Sequence, residues 1–98
     1  MSETPDDLRI RFDAHRGAYV AERGDRMVGL LEAVEESDGV VLMPHTEVDD
    51  AEEGKGVGSA LARRALDDVR AAGKRVRPAC PFVRGWIDHH PDYEDLVV

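Results

Sequence analysis

Two hydrophobic periods divide the chain. Up to residue 48 the apolar side chains alternate with polar ones or come in short runs, whereas from Val57 they recur every third or fourth position. The first pattern belongs to half-buried strands and the second to an amphipathic helix. Residues 8–12 read Leu-Arg-Ile-Arg-Phe and predict the first strand. Residues 17–22 and 26–34 are apolar-rich runs separated by Arg23, Gly24 and Asp25, which predicts an antiparallel hairpin with a tight turn. After a second turn cluster at residues 35–39, residues 40–48 predict a fourth strand. Pro44 lies inside it; without an N–H to give to a ladder, it requires the strand to be bulged, bent or unpaired there.

Beyond the strands, Val57, Ala60, Leu61, Ala65, Leu66, Val69 and Ala72 form one apolar face, with Arg63, Arg64, Asp67, Asp68 and Arg70 between them. This spacing predicts a long helix that stops at Gly73. Residues 74–80 predict a fifth strand, and Pro81 suits the first turn of a short helix over residues 82–89 that ends before Pro91. Strand, hairpin, strand, helix, strand, helix is an α+β order. The fourth and fifth strands flank a helix and are expected to lie parallel through a right-handed crossover.

A chain of 98 residues supports one core, so residues 8–98 are expected to form a single domain behind a loose polar tail at residues 1–7. Aromatic residues make up only 5%, which leaves the core to Val, Leu, Ala and Met. Charge narrows the partners. Thirteen basic against 21 acidic residues give a net charge of -8, which repels a phosphate backbone and argues against nucleic acid. The same field attracts amines, or serves only solubility. No run nears the roughly 18 apolar residues of a membrane span. A single cysteine, Cys80, precludes an internal disulfide, and the N-terminus lacks a basic and apolar leader pattern, so a cytoplasmic protein is expected.

Gly54, Gly56 and Gly58 fall between the fourth strand and the long helix. The first amides of a helix have no internal acceptor and its dipole is positive there, so this is a natural place for an anion such as a pyrophosphate. The spacing matches neither a Walker A loop nor the full dinucleotide fingerprint. A plain flexible turn ahead of a helix is the competing reading.

The segment Glu53-Gly54-Lys55-Gly56-Val57-Gly58 resembles the signature Gln/Arg-x-x-Gly-x-Gly/Ala of the Gcn5-related N-acetyltransferases, with Glu53 in place of the usual Gln or Arg. His45-Thr46-Glu47-Val48, Cys80-Pro81-Phe82-Val83 and His90-Pro91-Asp92-Tyr93 make the chain similar to the small single-domain, YjdJ-type subgroup of that superfamily. The resemblance implies an acyl-CoA N-acyltransferase-like mixed sheet: strands one to four antiparallel, strand five parallel to strand four, with one long and one short helix. It implies acetyl-CoA as co-substrate, with the pantetheine arm on the backbone of Thr46, Glu47 and Val48 and the pyrophosphate on Gly54, Lys55, Gly56, Val57, Gly58 and Ser59. It further implies acetyl transfer to a small-molecule or peptide amine by a monomer or weak dimer. Full-length relatives carry a helical pair between the first two strands that shapes the acceptor site; residues 13–16 leave no room for it.

Three side chains are candidates for the chemistry. Cys80 precedes a predicted helix N-terminus, a location that favours the thiolate, and is a candidate to take the acetyl group covalently or else a buried structural cysteine. His45 and Glu47 are candidate general bases; on a regular strand they share a face with Met43, a parity that a bulge at Pro44 breaks. His89 and His90, adjacent on a predicted helix, point apart and make no metal pair, and no other zinc pattern is present. Trp86 and Tyr93 are assigned to the core, and the short helix they flank is a candidate wall for the far side of the coenzyme. The rival functions are a coenzyme A-binding regulatory module without efficient turnover and an interaction domain with no coenzyme.

Overall fold

The computed structural model describes residues 7–98. Most of the expected tail, residues 1–6, therefore lies outside the described residues. Among the described residues seven strands and two α-helices follow in order: β1 (Leu8–Asp13), β2 (Ala18–Arg23), β3 (Arg26–Glu32), β4 (Val34–Glu35), β5 (Val40–Leu42), β6 (Thr46–Val48), α1 (Val57–Ala71), β7 (Arg75–Arg77) and α2 (Pro81–Asp88). Two 3-10 stretches, Asp50–Glu52 and Pro91–Leu96, precede α1 and follow α2.

The mixed α+β architecture is the expected one, but its strands form two sheets. One is antiparallel, in the order β1-β2-β3-β6; the other is mixed, in the order β4-β5-β7, with β5 and β7 parallel. Two strands expected to be continuous are each divided between the sheets. Residues 26–34 break at Ala33 into β3 and β4, and residues 40–48 break at residues 43–45 into β5 and β6. Pro44 is the reason for the second break, since a residue with no N–H cannot carry a ladder on. The breaks lie side by side, joined by the bond from Glu32 N to His45 O at 2.9 Å. Residues 43–45 also shift the side-chain parity. Met43 is fully buried while His45 and Glu47 are exposed, so these three do not share a face.

Helix α1 lies over the antiparallel sheet and buries Val57, Leu61, Ala62, Ala65, Leu66 and Val69. A buried Val or Leu contributes about 1.5–3 kcal/mol, so this face, rather than intrinsic propensity, holds a 15-residue helix together. Its end is a Schellman motif: Gly73, at φ 71°, donates to Arg70 O at 3.0 Å, and Lys74 N reaches back to Val69 O at 3.0 Å. Tyr19, buried beneath the helix, donates its hydroxyl to Asp68 at 2.8 Å; burial first, then that carboxylate, pushes the phenol pKa far up. The turn after β1 is short, with Asp13 Oδ1 accepting from the amides of His15 and Arg16.

Past Arg77 the chain turns away from the sheet. The amides of Met43 and Cys80 make the last rungs, to Arg77 O at 3.0 Å and Met43 O at 2.9 Å. From there, among the described residues, β6 pairs only with β3 and its other edge has no strand. The wedge that opens beside β6 faces the N-termini of α1 and α2.

Candidate functional site

Gly56 is the N-cap of α1, at φ 83° and ψ 12°, and no side chain caps the helix. Gly54 also has a positive φ, 79°, a conformation that a Cβ disfavours. A glycine N-cap forgoes only a few tenths of a kcal/mol relative to a side-chain cap, and it leaves the first amides uncommitted. Lys55 N bonds Glu52 O and Ala60 N bonds Gly56 O, but among the described residues no acceptor takes the amides of Gly54, Gly56, Val57, Gly58 or Ser59. They line a cleft of about 390 Å³ together with Thr46, Val48, Glu52, Glu53, Phe82 and Trp86. Lys55 is exposed beside it and does not line it.

The β6 edge offers further backbone groups. Rungs from Glu32 N to His45 O and from Asp49 N to Val28 O set the alternation with β3, in which Leu30 stands opposite Glu47. Residues 45, 47 and 49 therefore direct their backbone to β3, and Thr46 and Val48 direct theirs to the open wedge. Of the three residues expected to hold a pantetheine arm, Thr46 and Val48 present free edges; the backbone of Glu47 is turned to β3.

Cys80 is the N-cap of α2 and only 5% exposed, and its Sγ lies 3.4 Å from Thr46 Oγ1. It thus meets the cleft through Thr46 rather than as part of the wall. His45 and Glu47 lie on the opposite, solvent face of β6, where His45 Nε2 is 2.6 Å from Glu47 Oε2. The hydrogen bond with Glu47 raises the imidazole pKa above its ordinary value; desolvation opposes it, and the charges of Glu47 and then Glu32 add to the rise.

Two contributors were missed by sequence reasoning. Glu52 is 3% exposed and bonds Arg23 Nε at 2.9 Å, which ties the end of the β2–β3 hairpin to the turn before the glycine loop. Nothing local marks it, because the pair is 29 residues apart in sequence. Phe82 is the second. It is 42% exposed, and a Cβ on Gly58 would stand 2.9 Å from its ring, so the absence of a side chain at residue 58 lets Phe82 roof the loop. Trp86, assigned to the core, is buried there and also walls the cleft, donating Nε1–H to Ser59 Oγ at 2.9 Å. His89 and His90 lie past the end of α2, not within it, and both line a neighbouring groove. Among the described residues no three His, Cys, Asp or Glu side chains are grouped to hold a metal, and no helix is long and apolar enough to cross a membrane.

An uncapped, glycine-lined helix start thus lies beside a strand edge with no neighbouring strand among the described residues. The sequence model of the GCN5-related N-acetyl-transferase family matches residues 17–96. The chain belongs to the GCN5-related N-acetyltransferases. It is 31% identical over 87 residues to Protein NATD1 of Bos taurus, covering 86% of this chain and 75% of that protein. To Protein NATD1 of Gallus gallus it is 34% identical over 87 residues, covering 86% and 77%. A GCN5-like protein from Staphylococcus aureus, solved by NMR, superposes with a TM-score of 0.75 at 17% identity over 95% of this chain and 90% of its own. A GNAT-family protein from Desulfovibrio desulfuricans gives a TM-score of 0.52 at 20% identity, over 80% of this chain and 52% of its own. The structural likenesses carry the fold. Membership carries acetyl transfer from acetyl-CoA as the family's chemistry.

Proposed function

We propose that this chain binds acetyl-CoA in the glycine-loop cleft and transfers the acetyl group to a primary amine on a small molecule or peptide. The observation that carries the reading is the set of uncommitted amides at residues 54 and 56–59, lining a cleft that continues along the free edge of β6. Pyrophosphate oxygens accept from the amides of Val57, Gly58 and Ser59, which the helix dipole also favours. The amide groups of pantetheine pair with the backbone of Thr46 and Val48 as an added strand would. This runs the thioester toward Thr46, with Cys80 3.4 Å behind it.

In this reading the Cys80 thiolate attacks the thioester carbonyl. Its carbon forms a bond to Sγ, the bond to the coenzyme sulfur breaks, and the departing coenzyme A sulfur takes up the proton that the Cys80 thiol gives up. A neutral amine then attacks the acetyl-cysteine and releases the thiol. A second reading omits the cysteine: the amine attacks the thioester directly and gives its proton, through solvent, to His45, which pairs with Glu47 on the far face of β6. The short turn after β1, where larger relatives carry acceptor-site helices, favours a third, a coenzyme-binding module with little turnover.

Thermal unfolding with acetyl-CoA tests the common premise, because only a ligand of the native state raises the melting temperature. An unchanged Tm at millimolar acetyl-CoA ends all three readings. Intact-mass measurement after incubation without amine separates the rest: an acetyl adduct on Cys80 is expected for the covalent route. Full activity in Cys80→Ala refutes that route, and binding of acetyl-CoA with no turnover on any amine favours the binding module.

A further inference from the structure

The proton on Cys80 has one way out. Cys80 is 5% exposed and does not line the glycine-loop cleft. Among the described residues its Sγ has a single hydrogen-bond partner, Thr46 Oγ1 at 3.4 Å, and that hydroxyl has no other. His45 and Glu47, the candidate bases, lie on the far face of β6 and bond each other at 2.6 Å. Neither stands between the thiol and the cleft. A thiol must lose its proton to become a nucleophile, and a charge left on a sulfur buried away from water is disfavoured. The proton needs an acceptor at the moment of attack, and Thr46 is the group in place.

Backbone bonds on both sides hold the two atoms together. The amide of Cys80 donates to Met43 O at 2.9 Å, which fixes the start of α2 against the break between β5 and β6. Thr46 is paired with Leu31 in the ladder of β3 and β6. Main chain, not the two side chains, therefore brings these residues together across 34 positions of sequence. A hydroxyl accepts and donates at once. With Oγ1 accepting from the thiol, its own hydrogen is unspent, and Thr46 lines the cleft from which Cys80 is withdrawn. In the proposed binding mode Thr46 touches the buried sulfur on one side and the thioester on the other.

We propose that Thr46 is the proton relay of the acetyl-cysteine route. As Sγ attacks the thioester carbon, the thiol proton passes to Thr46 Oγ1 and the hydroxyl hydrogen of Thr46 passes to the departing sulfur. The bond from Sγ to the acetyl carbon forms and the bond from that carbon to the coenzyme sulfur breaks. One proton leaves Sγ, one arrives on the coenzyme, and Thr46 ends as a neutral hydroxyl. The assignment rests on the covalent reading and belongs to it alone, since direct attack by the amine gives Thr46 no thiol proton to carry.

The test is the rate of acetyl adduct formation on Cys80, by rapid quench and intact mass at saturating acetyl-CoA without amine, in the wild type, Thr46→Val and Thr46→Ser. Valine keeps the shape and the strand propensity of threonine but cannot carry a proton. Thr46→Val should form the adduct on the order of hundredfold more slowly, the lower end of what a positioned proton-transfer group contributes. Thr46→Ser should recover most of that rate. The pH profile separates a relay from a packing role. With the relay the wild-type rate should be nearly flat between about pH 6 and 8, because the proton leaves during the attack. In Thr46→Val only thiol already ionised reacts, so the rate should climb about tenfold per pH unit where little thiolate is present. A packing role would lower the rate by one factor at every pH. Wild-type adduct formation that itself climbs tenfold per unit, or an undiminished rate in Thr46→Val, overturns the relay and leaves the covalent reading standing. The wild-type profile decides even if Thr46→Val does not fold. No adduct in the wild type overturns the covalent reading, and the relay with it.

Discussion

Gly56 and Gly73 bracket α1, and the pair allows the cost of backbone strain to be separated from the cost to binding. Both have positive φ, 83° and 71°, and a Cβ on either meets nothing within 4 Å. Alanine at either site is therefore penalised only through the backbone. The left-handed conformation costs an L-residue roughly 1–2 kcal/mol, offset in part by the ~0.4–1 kcal/mol that alanine removes from the entropy of the unfolded chain. Each variant should lose about 1 kcal/mol, which for a domain of this size lowers Tm by about 4–8 °C. Function should divide them. In the proposed binding mode alanine at Gly56 turns the amide crown and sets a methyl group where the pyrophosphate approaches, whereas Gly73 is at the far end of the helix. Losing one hydrogen bond to a charged group costs about 1.5–3 kcal/mol, so Gly56→Ala should weaken coenzyme A binding roughly ten- to hundredfold. Gly73→Ala should bind as the wild type does. Calorimetry at a temperature well below both midpoints measures this, with unfolding curves as the control. Equal affinities in the two variants would refute the assignment of the anion site to the start of α1.

Other changes are expected to act in particular directions. Glu53 lines the cleft where the family signature places Gln or Arg, so Glu53→Gln should tighten coenzyme A binding by about two- to fivefold, the 0.3–1 kcal/mol worth of one charge near a helix start, and less at high salt. Glu52→Gln keeps the shape but removes the buried charge held by Arg23; stability should fall by about 1.5 kcal/mol, read from urea midpoints at unchanged slope. His45 has a raised pKa, so its pairing with Glu47 supports the fold below the ordinary imidazole value of about 6.5 and fades as pH rises through the folded value. NMR titration of the ring should show the midpoint moving down in Glu47→Gln. If His45 is the base, the acidic limb of the rate profile moves with it, and a limb that stays in place excludes His45 from that role.

Much of the fold follows from local pattern. The three- and four-residue spacing after Val57 is α1, Gly73 is its end, the alternation at residues 8–12 is β1, and Pro44 marks a break, because periodicity, positive φ and a missing N–H act within a few residues. The glycine loop was legible for the same reason, and so was the family. Tertiary packing decided how the pieces were joined. Pro44 announces an interruption but not that β3 breaks beside it at Ala33, dividing one expected sheet into two and freeing the edge of β6. The Arg23–Glu52 tie, the contact of Cys80 with Thr46 and the seating of Phe82 over Gly58 each bring together residues far apart in sequence. No local period encodes such contacts. The parity of His45, Glu47 and Met43 likewise depended on how the chain crossed between the sheets. Candidate residues could be named from the chain alone, but which of them face one cleft depends on how α1, α2 and β6 pack around it.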